Sequence, residues 1–68
     1  MEGSETELEM VRRHVRVGER LVANQCALIA RLAASSLPTE EAEILLANFQ
    51  AVQRQHKEHL RRIEARQV

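Results

Sequence analysis

The sequence predicts an all-α fold, an antiparallel two-helix hairpin, on three observations. Ala, Leu, Glu, Arg and Gln dominate its 68 residues, with two Gly, one Pro, one Phe and no Trp or Tyr, which is the composition of helix. A single break, AASSLPTEEAE at residues 33–43, divides the chain into two arms. Within each arm apolar residues recur in alternating steps of three and four, the spacing of coiled-coil-like packing. The expected layout is one domain over residues 1–68, with a helix at about 5–34, a turn at 35–39 and a second helix at about 40–66. Each helix would be about 40 Å long at 1.5 Å per residue.

The first helix has two candidate starts, because Ser4 with Glu7 and Thr6 with Glu9 both match a capping box. Ser35 and Ser36 weaken its end, and Pro38 disfavours helical geometry at Leu37. Thr39 is then a good N-cap, and Glu40, Glu41 and Glu43 place negative charge at the positive end of the second helix.

The apolar stripes predict the packing. In the first helix Leu8, Val11, Val15, Gly18, Val22, Gln25, Ile29 and Leu32 form a seam, with a second stripe through Met10, His14, Val17, Leu21 and Leu28 beside it. In the second helix the expected seam is Ala42, Leu45, Phe49, Val52, His56, His59 and Ile63, flanked by Leu46 and Leu60. One partner helix covers about one stripe, so a lone hairpin leaves apolar surface wet, and such surface marks an interaction site. A short chain with one cysteine has no internal disulfide to hold it, and small unstapled domains lean on tight helix packing or on association. Both arguments predict a homodimer, two hairpins forming a four-helix bundle, with Met10, Val17, Leu21, Leu28, Phe49 and Val52 at the interface.

Two polar residues, Asn24 and Gln25, interrupt the stripes of the first helix. At a seam such a residue sets register; at the rim it meets water, and the sequence leaves both open. Cys26 reads as a small filler, since the histidines lie about three helical turns away and supply no base to activate it.

The histidines raise the sharpest alternative. With the turn centred near residue 37, facing positions sum to roughly 74, give or take one turn of about four residues. His14 then lies opposite Leu60 and near His59, and Gly18 opposite His56. Three imidazoles at one level, His14, His56 and His59, would be a candidate zinc site. The carboxylate-rich pattern of di-iron bundles is missing: Gln53, not Glu, stands three residues before His56, and His56 itself stands three before His59. Amphipathic histidines packed at a bundle end are the commoner outcome, and no resident cofactor is expected on that reading.

Charge gives a second alternative. The formal net charge is zero, which removes bulk attraction to nucleic acid. Nine of the ten basic residues nevertheless fall at the open end, among them Arg12, Arg13, Arg16, Arg61 and Arg62, which are the candidate phosphate contacts of a nucleic-acid-associated protein. A helix face laced with ion pairs is the competing and favoured reading. Aromatic residues for stacking single strands are missing, as is a short recognition helix. No apolar run approaches about 18 residues, so no membrane span is expected. No secretory leader is read at the amino terminus, and a lone cysteine suits a cytoplasmic protein.

The run His14, Gly18-Glu19-Arg20, Val22, Gln25, Leu28-Ile29 and Leu32, followed by Thr39, Ala42-Glu43, Leu45-Leu46, Phe49, His56 and His59-Leu60, resembles a family of small uncharacterised alphaproteobacterial helical-hairpin proteins. The resemblance runs from about Val11 to Ile63. It implies a bacterial helical hairpin and supplies no activity. Many members carry a glycine just before the threonine; Leu37-Pro38 here puts the turn geometry in question.

No nucleophile–base pair, phosphate loop or carboxylate dyad can be assembled, so the expected protein is not an enzyme. The reading is a small protein-interaction or regulatory module acting on an unnamed protein partner through its apolar helix face.

Overall fold

The computed structural model describes residues 5–66, which form two helices: α1, Glu7–Ala34, and α2, Glu40–Arg66. They pack side by side as a hairpin with extents of 50 × 24 × 14 Å, one helix layer thick. Among the described residues there is no strand, and no helix is long and apolar enough to cross a membrane.

The capping box forms at Thr6 and Glu9. The Thr6 hydroxyl accepts from the Glu9 N–H at 3.1 Å, and the Glu9 carboxylate accepts from the Thr6 N–H at 3.0 Å. Because Thr6 is the cap, with extended backbone, α1 begins at Glu7 rather than at the expected residue 5. The other candidate cap, Ser4, lies outside the described residues.

The end of α1 is built from its own backbone. Ser36 adopts the left-handed region at φ 58°, its N–H donates to the Ala33 carbonyl at 3.0 Å, and the Leu37 N–H donates to the Leu32 carbonyl at 2.9 Å. These two bonds make a Schellman motif, with serine where glycine is usual. Pro38 follows, where no helical N–H is required. Thr39 starts α2: its carbonyl accepts from the Glu43 N–H at 2.9 Å, and its hydroxyl donates to the Glu43 carboxylate.

The α1 seam matches the expectation, since Leu8, Val11, Val15, Gly18, Val22, Gln25, Ile29 and Leu32 are all buried or half-buried. The α2 seam is a correction. It runs through Ala42, Leu46, Phe49, Gln53, His56, Leu60 and Ile63, while Leu45 and Val52 stay 43% and 49% exposed. Both choices alternate steps of three and four; they differ by a rotation of α2 through part of a turn.

Gln53 decides between them. Its Nε2 donates to the Val15 carbonyl at 2.8 Å, and its Oε1 occupies the place a Cβ on Gly18 would take, 1.8 Å from the ideal position. Gly18 is therefore the gap that admits a buried amide. Gln25 makes the reciprocal link from the other helix, Nε2 to the Ala42 carbonyl at 2.8 Å. It is buried, so it is the interior polar residue and Asn24 the exposed one. Two amides thus pin the helices at two levels, with Val11, Val15 and Ile63 as the fully apolar core.

The register follows. Gly18 faces Gln53 and His14 faces His56, so facing positions sum to about 70 or 71, within the one-turn slip allowed above. The residues between the helices, 35–39, are non-helical, so the facing positions need not centre on residue 37.

Two outcomes test these devices. Gly18→Ala gains about 1 kcal/mol of helix propensity. It also expels the Gln53 amide, which costs about 1–3 kcal/mol. Thermal unfolding by circular dichroism should show a net loss in the wild-type background and a gain in a Gln53→Ala background. Ser36→Gly relieves a left-handed penalty of about 1–2 kcal/mol and returns part of it as unfolded-state entropy, so a gain of about 0.5–1 kcal/mol is expected in the same measurement.

Candidate functional site

Rotating α2 onto Gln53 leaves one side of the hairpin apolar. Val17 and Leu21 on α1, with Phe49 and Val52 on α2, wall a groove of about 320 Å³ whose floor is Gly18 and Gln53. His14 and His56 close one end, and Arg13 stands on the rim. Leu21 is 42% exposed although it is a large apolar residue in mid-helix. Leu45 continues the exposed apolar surface along α2 towards the turn. The cleft across the seam carries more polar groups: Glu19, Gln50, Gln53, Arg54 and Lys57 line it beside Val22 and Ala23. The two broad faces of the hairpin therefore differ in kind.

Of the expected interface residues, the groove brings together Val17, Leu21, Phe49 and Val52. Met10 and Leu28 are half-buried on the same α1 stripe, beyond the ends of the groove. Leu45, expected in the seam, belongs instead to this exposed surface. Cys26, read as a filler, is exposed.

The three histidines do not gather at one level. His14 and His56 stack with ring centroids 5.1 Å apart and planes tilted by 52°. His59 lies one turn nearer the open end, where its Nε2 approaches a Glu7 oxygen at 3.5 Å. All three rings are half-buried. Among the described residues no group of three or more His, Cys, Asp or Glu has the proximity to hold a metal ion. The arrangement offers two imidazoles, short of the three protein ligands typical of a catalytic zinc site.

Ion pairs lace the open end. Arg13 grips Glu5 through two bonds of 2.9 Å, from Nε and Nη2 to the two carboxylate oxygens. This fork holds the Glu5 carboxyl below the usual glutamate range and raises the Arg13 guanidinium, with the positive charge of Arg16 adding to the effect on Glu5. Arg12 approaches Glu64 at 3.7 Å, Arg62 approaches Glu58 at 3.7 Å, and Arg66 reaches Glu7 at 3.5 Å. Of the five candidate phosphate contacts, Arg12, Arg13 and Arg62 therefore face carboxylates. Arg16 and Arg61 are exposed and show no such partner among the described residues.

The groove could have been found from the sequence by one signal, Gly18. A seam glycine asks which bulky residue it admits, and Gln53 is the seam-compatible side chain one position from Val52. Comparison with protein-family models, with curated proteins and with solved structures finds no match to this chain.

The ligand count gives a testable expectation. A zinc titration of tag-free protein against a competing chelator at neutral pH should stay at the chelator's background. A tight one-to-one site that disappears in His56→Ala would show that the stacked pair recruits further ligands and binds metal.

Proposed function

We propose that this chain is a small, non-enzymatic protein-interaction module of the cytoplasm, working through the groove of Val17, Leu21, Phe49 and Val52, and that it assembles as a homodimeric four-helix bundle. The observation that carries this reading is the cluster of exposed apolar residues at and beside the groove, Leu21, Leu45 and Val52, which is separate from the exposed Leu37 and Ile44. The cluster lies on a hairpin whose buried apolar core, among the described residues, is Val11, Val15 and Ile63. A standard interface takes about 800 Å² from each partner. The chain exposes 5295 Å² in all, and the 50 × 24 Å breadth of the hairpin is enough to supply a patch of that size. Covering the groove removes the apolar patch from water, and Leu21 and Val52 become part of a second core layer.

The likeness to the alphaproteobacterial hairpin family belongs to this proposal as a reading of the chain's origin. The reading as a non-enzyme rests on the site's chemistry: an apolar groove ending in two stacked imidazoles offers no nucleophile beside a base.

Leu21→Asp places a carboxylate in the groove without touching the hairpin seam. Ile44, 63% exposed, lies nine residues from Gln53, half a turn round α2, so Ile44→Asp is the matched control. Sedimentation should give twice the 7.8 kDa chain mass for wild type and for Ile44→Asp, and the chain mass for Leu21→Asp, with helical content retained in all three. A wild-type monomer across the concentration range would overturn the assembly, and an unchanged Leu21→Asp dimer would place the interface elsewhere.

A further inference from the structure

We infer that the second copy lies antiparallel on the groove face, with the turn end of each hairpin over the open end of the other. This rests on the dimer proposed above and specifies its geometry. Two observations point to it, one of spacing and one of charge.

The groove-side stripe of α1, half-buried except at the exposed Leu21 and Asn24, has self-complementary spacing. Met10, His14, Val17, Leu21, Asn24 and Leu28 are separated by steps of four, three, four, three and four. That order is the same in both directions about residue 19, so two antiparallel copies of α1 pair Met10 with Leu28 and Val17 with Leu21. On α2 the residue at the level of position 19 is Val52, which then meets its own copy. Residues 19 and 52 sum to 71, which is the level set by Gly18 against Gln53 in the hairpin itself. One two-fold axis therefore serves both helices, and it crosses the middle of the groove. Parallel copies can also bury the groove, so the spacing permits the antiparallel dimer and charge selects it.

The hairpin is electrically lopsided along its length. The turn half, residues 21–52, carries three carboxylates, Glu40, Glu41 and Glu43, against one cation, Arg31. The open half, residues 5–20 and 53–66, carries nine cations against six carboxylates. Among the described residues the formal excess is two negative charges at one end and three positive at the other, and Glu2, which precedes them in the sequence, lowers the positive excess to two. A parallel dimer would stack like ends on each other; the antiparallel dimer sets each basic end against an acidic one. The two ends are farther apart than the screening length of about 8 Å at physiological salt, so the contacts within each end decide the orientation.

The test is a distance between spin labels in the dimer. A single label on Ser35→Cys, in a Cys26→Ser background, sits at the turn, and sedimentation confirms that the labelled protein keeps the dimer mass. In the antiparallel dimer Ser35 stands about 24 Å from the axis level, so the two labels are about 50 Å apart. In a parallel dimer the turns stack at helix-packing distance and the labels come within about 20 Å. A dimer with the long distance bears the proposal out. A dimer with the short distance overturns the orientation and leaves the interaction module standing. A monomer overturns both.

Discussion

The amide of Gln53, seated in the space that Gly18 leaves and bonded to the carbonyl of Val15, sets the geometry of this molecule. A helix pair with a mostly aliphatic seam can slide by a turn or rotate by a residue at little cost, because apolar contacts are non-directional. A buried amide is directional. It is stabilised only where its donor finds an acceptor, and elsewhere it carries the cost of an unpaired polar group. Gln25, bonded to the Ala42 carbonyl nearer the turn, applies the same constraint at a second level. Two such points fix both rotation and register. The Gln53 Oε1 atom has no hydrogen-bond partner, so the seat is specific without being fully satisfied, and that makes the fit against Gly18 more exacting.

The exposed face is a consequence of that seat. With Gln53 turned inwards, Val52 and Leu45 turn outwards, and Leu21 faces Phe49 and Val52 across an open groove instead of packing in the seam. The same rotation brings His14 onto His56 and sends His59 to Glu7. The groove and the stacked imidazoles are thus products of one packing decision. A hairpin 14 Å thick has no second layer of its own, and its apolar side meets water until another surface covers it.

Much of this was legible in the residues. The two helices, the Thr6–Glu9 box, the break at Ser35–Thr39 and the whole α1 seam follow from capping chemistry and three-four spacing, because local rules govern them. The α2 seam was not, because two interleaved three-four rows fit the same sequence. The row through Leu45 and Val52 is the more apolar, and the row through Leu46, Gln53 and Leu60 is the one used. Hydrophobicity alone favours the wrong row; the missing Cβ at residue 18 favours the right one. The histidines depart from the expected level for a related reason. Counting from the centre of the turn gives a sum of 74, whereas Gly18 against Gln53 and His14 against His56 set it about one turn lower.

The measurement closest to the centre of this account is a set of nuclear Overhauser contacts from the Gln53 side-chain amide in the labelled protein. Cross-peaks from its amide protons to the Gly18 α-protons and to Val15 are expected, together with slow exchange of the amide with solvent. Contacts from the Val52 methyl groups to Val15 and Gly18, with the Gln53 amide exchanging freely, would mean that α2 is rotated onto its more apolar row. The groove, the stacked histidines and the dimer built on them would then all fall.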